Sequence, residues 1–134
     1  TAEYLSISFN FFRSSREQCA VLFEMCDKNR WTRVALAGCG DLAEIATLCQ
    51  REGSGVDIVG IVNTSERNTR PERFAGLPVV DRLTDLTKVH AVIVTDIVNA
   101  QKVYDRLSEA IPLERILTAP LLKVSRELPR LIDD

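Results

Sequence analysis

The passage from Arg33 to Cys49 constrains the chain more than any other. Arg33-Val34-Ala35-Leu36-Ala37 is a short, nearly continuous apolar run, the signature of a strand buried on both faces. Gly38-Cys39-Gly40 stops it. Leu42, Ile45, Ala46 and Cys49 then recur at i, i+3, i+4 and i+7, which is a helix with one apolar stripe. A doubly buried strand that turns within a few residues into a helix is the opening unit of a parallel sheet with crossover helices.

The remainder repeats the alternation. Gly53-Ser54-Gly55 ends the helix, Val56 to Val62 is a second strand, and a polar, arginine-rich loop covers Asn63 to Arg73. Pro78-Val79-Val80 predicts a third strand, Leu83 to Leu86 a helical turn, and Val89 to Thr95 a fourth strand. Val98 to Ala110 reads as a helix with Val103 and Leu107 inward, and Leu113 to Thr118 as a fifth strand. The tail from Pro120 is apolar, then basic. The predicted fold over residues 31–134 is therefore an α/β three-layer sandwich. Its mostly parallel five-stranded sheet is expected in the order 3-2-1-4-5. A chain of 134 residues, 46% hydrophobic, is enough for one such core.

Residues 1–30 contain no Gly or Pro and read as one long amphipathic helix. Leu5, Phe9, Phe12, Cys19, Phe23 and Cys26 step by fours and threes as a heptad seam, with Arg16 at the remaining position. Tyr4, Ile7, Phe11 and Leu22 widen the apolar surface, so the helix must pack on the rest of the chain or on a second copy. A homodimer through this helix is the expected assembly. The chain opens without methionine and within the helical pattern, as a piece of a longer protein would.

Seventeen basic and nineteen acidic side chains leave a net charge of −2, which provides no field for a polyanion and excludes direct nucleic-acid contact by this segment. No apolar run approaches the roughly 18 residues of a membrane span, and Thr1-Ala2-Glu3-Tyr4 lacks the basic start of a signal peptide. A soluble, cytoplasmic protein is expected. The four cysteines, at positions 19, 26, 39 and 49, never fall at zinc-knuckle spacing, so they read as small thiols in a reducing compartment.

Gly38-Cys39-Gly40-Asp41-Leu42-Ala43 fits the pattern G-x-G-x-x-G/A between a strand and a helix. Gly38 permits the tight turn, Gly40 lets a pyrophosphate approach the backbone, and Ala43 lets helix and strand pack closely. Free N–H groups at the helix start face an anion. The candidate binding residues are Gly38, Cys39, Gly40, Asp41 and Leu42 in this loop, Asn63, Thr64, Ser65 and Arg67 after the second strand, and Thr95 and Asp96 after the fourth. Asn63 stands where an acid would hold a ribose diol, and the hydroxyl-rich run ending in Arg67 suits a 2′-phosphate, with Arg70 and Arg73 as further cations. The expected cofactor is accordingly NAD(P) or another nucleotide.

Each of these residues has a plainer reading. Asp41 and Glu44 complement the helix dipole, though Asp41 could also repel a phosphate. Cys39, at a helix start, is either a favoured thiolate or simply a small side chain in a turn. Asp96 either binds a ligand hydroxyl or caps the next helix. The glycine turn itself could serve packing alone, and Arg67, Arg70 and Arg73 could be solvated surface charge balanced by Glu66 and Glu72. No catalytic constellation emerges. His90 precedes the fourth strand, at the edge away from the crevice, Tyr104 lacks a lysine three or four residues on, and Ser14 and Ser15 have no histidine. An enzyme is not expected.

The join of the long aromatic helix to Arg33–Ala46, together with Phe74-Ala75-Gly76-Leu77-Pro78-Val79 and Pro112-Leu113-Glu114-Arg115-Ile116-Leu117, resembles the C-terminal Rossmann-like domain of bacterial winged-helix transcription regulators. The Phe-x-Gly-x-Pro-Val turn is also similar to that of Rossmann-like domains on sugar-nucleotide-modifying enzymes and of CoA-binding sensors. The first resemblance implies an effector-sensing, dimerising domain whose DNA-binding module lies upstream of Thr1. Two alternatives stand beside it: an NAD(P)-binding or accessory domain of a sugar-nucleotide oxidoreductase, and a ligand-free dimerisation scaffold.

Overall fold

A computed structural model describes residues 2–52, 55–65 and 70–125, with side chains from residue 10 onward. Helix α1 (Ala2–Lys28) leads into β1 (Arg33–Ala37) and α2 (Asp41–Arg51). Then come β2 (Asp57–Val62), β3 (Arg73–Phe74), β4 (Leu77–Val80), a single 3-10 turn (Leu83–Asp85) and β5 (Ala91–Val94). Helix α3 (Ala100–Leu107) and β6 (Ile116–Leu117) complete the sheet, whose order is β3-β4-β2-β1-β5-β6.

Every pairing is parallel except β3 with β4. The five expected strands stand in the expected order, and the correction is a sixth. Arg73–Phe74 folds back on β4 through Ala75 and Gly76, at φ 52° and 80°. Positive φ at both central residues is what a two-residue hairpin needs to match strand twist. Two residues are too few to show a sequence period, so the edge strand was invisible. The fifth expected strand is also shorter than read, because Leu113–Arg115 forms a 3-10 turn behind Pro112.

Strand alternation divides the core between the two faces of the sheet. Val34 and Leu36 of β1, with Ala91 and Ile93 of β5, face α1 and α2. Ala35 and Ala37, with Val92 and Val94, face α3. On β2 the alternation is reset by a bulge: Val34 pairs with Ile58 and Ala35 with Gly60, leaving Val59 extra. Ile58 and Ile61 therefore both pack on the α1–α2 side although they are three residues apart.

Helix α1 belongs to this core. Ser15, Cys19, Leu22, Phe23 and Cys26 are buried, and Phe11 is half-buried. Of the predicted seam, Phe12 and Arg16 are exposed, and Leu5 and Phe9 lie outside the residues whose side chains are described. The exposed Arg16 pairs with Glu52 and its carbonyl accepts the Cys49 thiol at 3.4 Å, while Gln18 Oε1 accepts the Leu121 amide at 2.8 Å. The C-terminal half of the seam is thus used within the chain. Burial pushes the Cys19 thiol up to about 12 and the Cys26 thiol up to about 11, so both are neutral packing groups. Among the described residues no helix is long and apolar enough to cross a membrane, and no cluster of side chains could hold a metal ion.

The link from β4 to β5 shapes the other face. A parallel crossover is usually an α-helix, but here it is the Leu83–Asp85 turn alone. Two helices cover one face among the described residues, and on the other α3 is the one helix, joined by apolar residues of short turns and loops such as Leu83, Leu113 and Leu122.

Candidate functional site

The carboxyl ends of β1, β2 and β5 meet at one edge of the sheet. Gly38 leaves β1 at φ 121°, and a Cβ there would lie 2.6 Å from the Asp96 amide nitrogen and 2.8 Å from its Cα. The fold itself therefore demands glycine, because the exits of β1 and β5 cross in contact. Thr95 reinforces the crossing: its buried hydroxyl donates to the Gly38 carbonyl at 2.6 Å and its amide to Ala37 at 2.9 Å.

Gly40 is different. Its φ of 171° is extended backbone open to any residue, and a Cβ on it would meet no atom within 4 Å. It precedes α2, which starts without a side-chain cap. Uncapped first-turn amides carry the positive end of the helix dipole. Asp41 and Glu44, both in the first turn of α2, are exposed.

Asp96 ties three segments together. Its Oδ1 accepts the Asn99 amide at 2.8 Å, closing the turn into α3, and its Oδ2 accepts the Thr64 hydroxyl at 2.7 Å. Asn63 Oδ1 accepts the Ser65 amide at 3.2 Å, and the Asn63 amide donates to Val80 at 2.8 Å. Gly38, Asn63, Thr64, Thr95 and Asp96, drawn from sequence positions far apart, are thus assembled at one edge.

Other candidates stand elsewhere. The Leu42 side chain, 1% exposed, is core and turned away from the crevice. Ser65 is exposed, and Arg67 lies outside the described residues. Arg70 binds Asp81 through Nε at 2.9 Å and the Val79 carbonyl at 2.7 Å, while Arg73 binds the Gly76 carbonyl at 2.6 Å. Both therefore hold the β3–β4 hairpin. Cys39 is exposed, yet partial desolvation of its sulfur raises the thiol above its usual range. The helix terminus does not make a favoured thiolate here; desolvation opposes it. His90 is at the opposite edge, where Nδ1 accepts the Thr32 and Arg33 amides at 3.1 and 3.2 Å. An accepting Nδ1 places the proton of the neutral ring on Nε2, and its role is to join β1 to the segment before β5.

Sequence reasoning missed a cavity of about 460 Å³ on the α3 face, beside these strand ends. Ala37 and Val62 form its floor, Leu83 and Thr84 one wall, and Val103 and Leu107 of α3 the other. Asn63, Thr64, Asp81, Arg82, Arg106 and Glu109 also line it. The available signal was the shortness of the apolar pattern between Val80 and Val89, which leaves no room for a crossover helix. Neither a known protein family nor a curated protein matches the chain.

Proposed function

We propose that this chain is a Rossmann-like effector domain of a transcriptional regulator, which takes a nucleotide-type ligand at the Gly38–Gly40 loop and couples it to the pairing of two copies. The observation that carries the ligand reading is the contrast between the two glycines. Gly38 is explained by its own chain; Gly40 has no internal reason to be glycine. A residue without a side chain beside uncapped helix amides suits the close approach of an external anion. The parallel order through β4, β2, β1 and β5, with the loop at the exit of β1, agrees with that reading.

The pairing reading draws on α1, where Phe12, Val21 and Met25 remain 41%, 54% and 41% exposed. A ligand would act by binding one arrangement of the pair better than another. The scaffold alternative has an observation of its own, since both carboxylate oxygens of Asp96 are already satisfied within the chain.

Thermal unfolding with NAD, NADH, NADP, NADPH, CoA, ATP and UDP-sugars tests the ligand reading. A ligand at 100 times its Kd adds about 2.7 kcal/mol, a shift of several degrees at this size. The expected result is a selective shift that Gly40→Val removes while leaving the unliganded midpoint in place. No shift with any of them would favour the scaffold. Sedimentation of the wild type and Phe12→Glu tests pairing: a dimer weakened by the substitution is expected, and a monomer at high concentration would end the pairing reading.

A further inference from the structure

A groove of about 310 Å³ between α1 and α2 takes no part in the site at the strand ends. We infer that it docks a segment of another protein, anchored by an arginine whose guanidinium lies between Glu24 and Asp27. The inference is independent of the ligand reading above.

Charge is the first observation that carries it. Three carboxylates, those of Glu24, Asp27 and Glu52, line the groove against one guanidinium, that of Arg16. Arg16 already holds Glu52. Glu24 and Asp27 make no ion pair among the described residues, not even with Lys28, the next cation on the helix. Placed at i and i+3, they stand on one face of α1, with their Cβ atoms about 5–6 Å apart. A guanidinium fork can donate to both at once, which a compact ammonium does less well.

The lining is the second. Phe23, 3% exposed, and the half-buried Cys49 present apolar surface, and Ala20 is the shortest side chain among them, so an incoming backbone can approach there. An arginine stem lies along such surface while its head stays with the carboxylates. The chain displays the same arrangement internally, since Arg16 of α1 reaches Glu52 at the end of α2 within this groove.

The flanks are the third. Val21 and Leu48 are 54% and 45% exposed. Val21 stands three residues before Glu24 and Leu48 four before Glu52, so each helix sets an apolar group beside an acid. A free amine would leave both uncovered, whereas a peptide with apolar residues around its arginine covers them. Arginine within an apolar surround is a common interface anchor.

The probe is an alanine-rich helical peptide whose central arginine has a leucine one turn to either side, titrated into isotope-labelled protein. A citrulline counterpart keeps the shape and removes the charge. The arginine peptide should bind about tenfold tighter, the scale of hydrogen bonds to charged groups, and should shift the amide signals of Ala20, Glu24 and Asp27. Glu24→Gln combined with Asp27→Asn should abolish the preference for arginine. Both side chains are exposed, so the unfolding midpoint should stay in place. Ala20→Leu should weaken both peptides by filling the groove. Equal binding of the two peptides, no binding of the arginine peptide, or a double variant that still prefers arginine would overturn the inference. A wild-type dimer that the double variant dissociates in sedimentation would assign the groove to a second copy, so the partner-protein inference would fall while the pairing reading stood.

Discussion

The two faces of the central sheet are closed by different means. On one, α1 and α2 lay Leu22, Phe23, Leu42 and Ile45 over Val34, Leu36 and Ile93, and the small Ala43 and Ala46 bring helix and sheet into close contact. On the other, the described cover is α3 with Leu83, Leu86, Leu113, Leu122 and Val124 from short turns and loops, over a floor that includes Ala35 and Ala37. Small floor residues beneath a missing helix leave volume, and that volume opens where the strand ends gather. A face filled to native density resists change in either direction, whereas a face with a cavity has room to be filled. The molecule thus keeps its packing on one side and its adaptability on the other.

The largest expected effect lies where the two faces meet. Gly38→Ala adds a Cβ against the Asp96 backbone at a positive φ, so strain and overlap together should cost about 4 kcal/mol in urea unfolding. Gly40→Ala in the same experiment should change stability by less than about 0.5 kcal/mol, because its Cβ enters open space. Equal costs would erase the distinction on which the ligand reading stands.

Core truncation compares the faces directly. Phe23→Ala, in the closed face, should cost about 4 kcal/mol, and Leu107→Ala, beside the cavity, about 2 kcal/mol, since water can enter the enlarged space. Calorimetric unfolding of both variants checks the order. Enlargement sharpens the contrast because it should change sign. Ala46→Val overfills the closed face and should cost about 2 kcal/mol. Ala37→Val grows into the cavity and should gain about 1 kcal/mol. Destabilisation by both would show that the cavity walls are rigid.

The pH-dependent effect is alkaline and belongs to the closed face. The folded thiols of Cys19 and Cys26 titrate at about 12 and about 11, above their ordinary value near 9 in the unfolded chain. Between those values the unfolded chain binds fewer protons than the folded one, so stability falls as pH rises. The contribution is complete below pH 9 and declines as pH climbs through the folded values. Unfolding midpoints between pH 8 and 11 should drop, and Cys19→Ala should flatten the slope even though it lowers stability at pH 8.

What could be read beforehand divides along the same lines. The order of the five parallel strands followed from β1 and its glycine turn, because crossover handedness leaves few arrangements once strands and helices alternate. The strand-end residues Gly38, Asn63, Thr64, Thr95 and Asp96 were legible for the same reason: parallel strands deliver their exits to one edge. The roles of individual side chains were less so. Asp96 was read as a ligand group or a cap; in the structure one oxygen closes the turn into α3 and the other binds Thr64. Arg70 and Arg73 read from sequence as cations for a phosphate or as solvated charge, and hydrogen bonds within the hairpin hold them instead. Such bonds depend on which segments become neighbours, and spacing along the chain does not encode that.

The sequence by itself determined the class of fold, the parallel order and the place of the glycine turn, because apolar period and glycine position act over a few residues. Only the tertiary structure decided which surfaces were used up. It placed Cys19, Phe23 and Cys26 in the chain's own core while Phe12 stayed exposed, separated Gly38 from Gly40, and left a cavity beside the strand ends. Burial and open space are properties of segments brought together from a distance, and they exist only once those segments have packed.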